Sequence, residues 1–339
     1  MNTLHIVYLV SGILLFLFII SDIIKTTFTT NGGGPYTNFI SRAVWKIFFL
    51  LAGKNGRSKI LEYAGTAVLI IILLTWVAGL WVGLFLILQS DEGSIVNSDT
   101  KLPADALEKL YFAGFTLSTL GVGDFMASND FWRIVTSIAA FSGLAFITVS
   151  ITYFVPVLSA VALQAKLSMF ISGMGRSPQQ ILINSWNGKD FSDFFENAPE
   201  LCQMIYQHTL NHHSYPVIHY FHNNDPKLSI TIALVILDET HRILKQDLAE
   251  ISDKEALKMS MLQTALDKYL QMMRKGYINS TSENTGPTPD LQQLRNKGIP
   301  VNINQEKKAE LDQKIQKRRK LLSTTLEKDG WSWEEIFTK

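Results

Sequence analysis

Three long stretches without a charged side chain dominate the first half of the chain: Leu4 to Ser21, Ala64 to Ser90, and Ile134 to Ala165. Roughly 20 apolar residues in a helix cross the hydrocarbon of a bilayer. Core helices of soluble proteins seldom run so long without a polar face, so the pattern predicts three transmembrane helices. The first stretch has neither a basic leader nor a small-x-small cleavage site, and reads as an anchor and not a signal peptide. From Lys166 onward the pattern changes to polar sequence with apolar residues at helical spacing, as in 233–248 and 257–273. The predicted fold class is an all-α membrane protein. It has three transmembrane helices plus a re-entrant helix and loop, followed by a mostly helical cytoplasmic domain.

The re-entrant element lies between the second and third spans. Leu102-Pro103-Ala104-Asp105 opens a helix with Pro and an acid in its first turn, and the pattern continues to Thr116. About four turns cannot cross a bilayer, but they can enter it, end partway and let the chain return. Thr116-Leu117-Ser118-Thr119-Leu120-Gly121-Val122-Gly123-Asp124 follows. A dehydrated cation needs a cage of oxygens, and consecutive carbonyls face one way only when alternate residues reach left-handed dihedrals. Gly121 and Gly123 stand at alternating positions and reach those angles without strain. Irregular backbone at membrane depth is tolerated where it is buried or lines a water-filled cavity. One such loop encloses nothing, so the reading requires several copies around an axis.

Hydrophobic residues make up 47% of the chain and the formal net charge is +1, which excludes an acidic disordered protein and a basic nucleic-acid binder. The placement of charge sets an orientation. Lys25, Arg42, Lys46, Lys54, Arg57 and Lys59 lie between the first two spans, while Asp91 to Asp105 carries acids and one Lys. Positive loops stay inside, so the N-terminus is expected outside, the loop opening outward and everything after Lys166 cytoplasmic. Cys202 is the single cysteine, which fits a chain without disulfides. Between Gly32-Gly33-Gly34-Pro35 and residue 53, aromatic and apolar residues alternate with Arg42 and Lys46, the pattern of an amphipathic helix in the lipid headgroup zone.

Residues 60 to 165 resemble the pore module of the potassium channel superfamily in its bacterial two-span form, with an added N-terminal span and a cytoplasmic helical domain. The resemblance implies a homotetramer in the bacterial inner membrane that passes potassium or other monovalent cations. It implies an ion-binding filter of Thr119, Leu120, Gly121, Val122 and Gly123, in which the first four donate the carbonyls and the Thr119 hydroxyl forms the inner site. It also implies filter support from Asp124, Tyr111 and Phe112. The sequence departs from the usual filter at Val122, where most members carry Tyr or Phe, and Phe115 stands where some place a carboxylate. Both potassium-selective and non-selective cation conduction therefore remain open. Gly143, 20 residues beyond Gly123, occupies the depth of a common hinge glycine and equally suits tight packing. Pro156 removes a backbone donor and kinks a helix, which makes Val155, Pro156 and Ser159 gate candidates.

No span carries a charge at every third position, so no voltage sensor is expected. His208, His212, His213, His219 and His222 fall within fifteen residues, with His208 and His212 one helical turn apart. Two imidazoles so spaced suit a transition metal, a pH-sensing role or a plain packed surface. The expected domains are an N-terminal helix over 1–25, a cytoplasmic loop with the interfacial helix over 26–59, and the pore over 60–165. A cytoplasmic helical domain over 166–275 and a polar linker with a C-terminal helix over 276–339 complete the chain. No nucleophile, paired carboxylate or complete metal motif points to an enzyme, and no cofactor is expected. A channel is the leading reading, and the alternative is a membrane-anchored metal or pH sensor with a non-conducting pore-like loop.

Overall fold

The computed structural model describes residues 3–29, 32–246, 248, 253–278, 281–301 and 308–337. Helix α1 covers Thr3–Phe28, α2 Pro35–Leu51, α3 Ala64–Gln89 after a 3-10 turn over Lys59–Tyr63, and α4 Ala106–Leu117. Strands β1 (Ile95–Asn97) and β2 (Phe125–Ala127) flank α4, and α5 runs unbroken from Asp130 to Met174. There follow α6 (Pro178–Asn184), α7 (Ser192–Ser214), a 3-10 turn over Pro216–Tyr220, α8 (Ile230–Gln246) and α9 (Asp253–Gly276). The last helices are α10 (Gln292–Asn296), α11 (Lys308–Lys328) and α12 (Glu334–Phe337). Three helices are long and apolar enough to cross a membrane: Thr3–Phe28, Lys59–Gln89 counting the 3-10 turn, and Asp130–Met174. The three charge-free stretches lie inside them, save for Ser90, one residue past Gln89.

The chain divides into two compact units, residues 1–43 with 67–158, and residues 44–66 with 159–339. In the first, α1 and α3 pack antiparallel through small residues. A β-carbon on Gly12 would come within 2.7 Å of the Ile87 nitrogen, and one on Gly79 within 2.7 Å of the Ile19 side chain. Backbones can approach this closely only where side chains are absent, the usual means of joining helices in lipid. One end of this unit closes over Leu84, Leu88, Ile95, Phe112, Phe115 and Trp132. The antiparallel ladder Ile95↔Ala127, Val96↔Met126, Asn97↔Phe125 ties the entry to α4 to the exit from the loop that follows it. Hydropathy does not predict these short strands.

A carboxylate organises the opposite end of the same unit. Asp22 is buried in α1. It accepts from Trp76 Nε1 of α3 at 3.1 Å, from the Thr37 hydroxyl at 2.6 Å and from the Tyr36 N–H at 3.0 Å. The last two sit in the first turn of α2, whose unpaired amide donors and positive dipole end favour an anion. Asp22 thus caps α2 from another helix. A β-carbon on Gly34 would meet the Asp22 carboxylate at 2.0 Å, so glycine is what lets the chain turn there.

The second unit is a helical domain around one continuous core, running from Leu167 and Ile171 through Phe194, Ile205, Leu237 and Leu266 to Leu322, Trp331 and Trp333. The core takes in residues beyond 276, so the stretch set apart by charge as linker and tail packs into the same domain. Buried ion pairs fasten α11 to α8. Arg319 Nε lies 3.0 Å from Glu239, its guanidinium stacks 4.6 Å from the Trp333 ring, and Arg318 pairs with Asp238. Such pairs offset the desolvation cost of two charges only with full hydrogen bonding, and Glu239 gains a second partner in Arg242.

Candidate functional site

Helix α4 is fixed at its N-terminal end by a complete capping box. Asp105 accepts the Glu108 N–H at 2.9 Å, and Glu108 accepts the Asp105 N–H at 2.7 Å. Asp91, at the turn after α3, holds three elements together. Its carboxylate accepts Trp132 Nε1 of α5 at 2.8 Å, and its carbonyl accepts the buried Lys109 Nζ of α4 at 2.7 Å. Trp81 Nε1 of α3 donates to the Leu110 carbonyl at 2.8 Å. Phe112 and Phe115 pack edge-to-face at 5.0 Å, and Tyr111 and Phe115 at 5.1 Å. At 12 residues, α4 is about 18 Å long and ends well short of a bilayer crossing.

The end of α4 is a Schellman cap. The Leu120 N–H bonds the Phe115 carbonyl at 3.0 Å and the Thr119 N–H bonds the Thr116 carbonyl at 3.1 Å. Thr119, at φ 59°, occupies the left-handed position that glycine usually fills. A β-branched residue there is strained and persists because the two cap bonds and the loop beyond over-determine it. Gly121 (φ 61°) and Gly123 (φ 91°) follow, so left-handed geometry recurs at every second residue from 119 to 123. The alternation starts one step earlier than the glycines alone announce. Above it, Ser98 donates its hydroxyl to the Gly123 carbonyl at 2.5 Å, and the Ser98 N–H bonds the Asp124 carbonyl at 2.8 Å. Ser98, Asp91 and Trp132 carry no motif, and only proximity reveals their roles. Val122 is 49% exposed and Leu120 71%.

Helix α5 passes close behind this loop. A β-carbon on Gly143 would lie 1.9 Å from the Leu117 carbonyl oxygen, so glycine is what admits the end of α4 against α5. Of the two roles read for Gly143, the packing one has a direct contact behind it. Pro156 sits inside α5 without ending it. Val155 and Ser159 are exposed, as are Ile138, Phe141 and Ile151 along the helix.

Residues 70–160 match the sequence profile of a family described as "Ion channel". An uncharacterized membrane protein, YdjJ of Bacillus subtilis (strain 168), is 31% identical over 327 residues, covering 96% of this chain and 95% of its own. The chain belongs to the pore-loop ion channel family. No solved structure matches it. The family match falls on α3, α4, the 118–124 loop and most of α5, the elements that carry the geometry above.

In this channel His208, His212 and His222 are buried in the second unit and His219 is half-buried there, each in contact with an aromatic ring, while His213 is exposed. His208 and His212 have ring centroids 5.5 Å apart, His212 and His219 5.3 Å, and His219 and Tyr277 4.1 Å. Among the described residues no group of three or more His, Cys, Asp or Glu is arranged to hold a metal. Both ring nitrogens of His208 and Nδ1 of His212 lack hydrogen-bond partners. Burial pushes His208 and His219 down to about 4, and His212 well below its usual value. His222 differs: its Nδ1 lies 3.0 Å from Asp329, its Nε2 2.6 Å from the Gly56 carbonyl, and its ring stacks on Trp331. Burial opposes its charge, but the Asp329 carboxylate and the Gly56 carbonyl lift it above the ordinary histidine value. Both neighbours are acceptors, so a doubly protonated ring satisfies both.

Proposed function

We propose that four copies of this chain surround an axis and conduct potassium through a ring of carbonyls from Thr119, Leu120, Gly121, Val122 and Gly123. The reading rests on one observation above the others: left-handed dihedrals at alternate residues 119, 121 and 123, at the end of a short helix too short to span. Left-handed alternation turns consecutive carbonyls to one side, and the C-terminal end of α4 adds the negative end of its dipole. Leu120, Val122, Phe141 and Val155 stand exposed on the single chain, and neighbouring copies would cover or share these faces. The channel sits in the bacterial cell membrane with its N-terminus outside and residues after 166 in the cytoplasm, and α5 carries the gate near Pro156. Passive flux needs no cofactor.

A non-selective monovalent cation pore is the second reading, favoured by Val122. A side chain smaller than Tyr or Phe leaves less to brace the carbonyl cage from behind, and a slack cage discriminates less. The test is the reversal potential of purified protein in planar bilayers with potassium on one side and sodium on the other. Reversal at the potassium equilibrium potential supports a selective cage, and reversal near zero with cation current supports the second reading. Gly121→Ala and Gly123→Ala variants that still assemble lose the current. A wild-type-like current in both would overturn the filter assignment.

A further inference from the structure

A cavity of about 290 Å³ opens in the second unit. Behind its surface lie Ile171 of α5 and Ile232 and Ile236 of α8, all almost wholly buried, and its rim carries three cations, Arg57, Arg176 and Lys227, and two carboxylates, Asp225 and Glu335. These cations come from three separate stretches of chain: the segment before α3, the turn after α5, and the turn before α8. Only Arg57 has an ion-pair partner among the described residues, Glu335 at 3.6 Å, and that pair is loose and solvent-facing. The Arg176 and Lys227 side chains are exposed and make no ion pair there. Like charges converging on one cavity repel, and an anion between them relieves that repulsion and receives guanidinium and ammonium donors. The volume far exceeds that of a bare inorganic ion and leaves room for an organic body. A volume near 300 Å³ is the lower end of what small-molecule sites enclose.

We propose that this cavity binds a small organic phosphate monoester, its phosphate held by Arg57, Arg176 and Lys227 and its organic body filling the rest of the cavity. Asp225 and Glu335 on the same rim accept hydroxyl donors from the body of the ligand. They also disfavour a ligand that is anionic throughout. Arg57 lies next to Gly56, whose carbonyl meets His222, and Ile171 belongs to α5. An occupied cavity therefore joins the segment leading into α3 to the cytoplasmic end of α5. The site stands independently of the conduction reading, because its residues and its test lie outside the pore.

Isothermal titration of the full-length protein in detergent, at low and moderate salt, tests the proposal with three probes: adenosine 5′-monophosphate, inorganic phosphate and short-chain phosphatidic acid. Adenosine 5′-monophosphate or phosphatidic acid should bind at least tenfold tighter than inorganic phosphate, and whichever binds better identifies a soluble or a lipid source. Arg176→Ala and Lys227→Ala, both exposed and unpaired among the described residues and so harmless to folding, should each weaken that binding about tenfold. Together they should abolish it. Absence of binding by either organic probe, equal binding of inorganic phosphate, or binding unchanged in the double variant would each overturn the proposal. Loss of bilayer current with binding intact, or the reverse, separates this site from the pore.

Discussion

Two residues show how a single position carries a helix contact. Gly143 faces the Leu117 carbonyl at a distance no β-carbon can occupy, and the obstacle is backbone. Gly143→Ala must push α5 from the end of α4, and we expect lost current and a fall in stability of about 1–3 kcal/mol by overpacking. Gly173, also in α5, has open space around a notional β-carbon, so Gly173→Ala should be neutral or stabilise by about 0.5 kcal/mol. Thermal unfolding of the two variants in one detergent distinguishes packing from general loss of helix flexibility. Asp22 is the polar counterpart. Removing its carboxylate in Asp22→Ala strands the Trp76 indole N–H and the Thr37 hydroxyl in a buried place. We expect a loss of at least about 2 kcal/mol, read as a lowered unfolding midpoint.

At the scale of elements, the histidines on and after α7 act in opposite directions with pH. His208 and His219 are held near 4 in the folded state against an unfolded value near 6.5. The unfolded chain therefore binds more protons, and the second unit loses stability as pH falls through 6.5 toward 4, by up to about 3 kcal/mol for each group. His208→Leu should lose less on acidification, as denaturation midpoints at pH 7.5 and 4.5 will show. His222 is raised, so its contribution is full below about 6.5 and is lost as pH rises through the folded value. The Gly56 N–H, bonded to the Gly330 carbonyl at 2.8 Å, reports that contact. Its protection factor against hydrogen exchange should fall between pH 6 and 9, and in His222→Leu it should be low throughout.

For the whole molecule, native mass spectrometry in detergent should give four chains, and a stable monomer would remove the basis for a shared filter. Much of this organisation is legible in the order of residues. Charge-free length marks α1, α3 and α5, and Pro103 with Asp105 marks the start of α4. Gly121 and Gly123 mark the loop, because each of these signals is local. What escapes the sequence is contact between distant segments. Asp22 reads as the residue that ends an apolar stretch until α2 and α3 are brought to it. Ser98 is an unremarkable loop serine until β1 lies beside Gly123. Thr119 carries no sign of a left-handed backbone, since the cap bonds from Phe115 and Thr116 impose it. The second unit is helical in pattern, but its core joins residues more than a hundred positions apart, and periodicity says nothing of such pairing.

The unbroken run of α5 through Pro156 has a mechanical side. From Gly143, pressed against the end of α4, to Leu158, the last residue of the first unit, the helix runs 15 residues, about 22 Å at 1.5 Å each. With the Leu117 contact as fulcrum, a tilt of about 5° at Gly143 would carry Leu158 about 2 Å. A rotation small enough to spare the end of α4 would be read as a larger displacement further along the same lever.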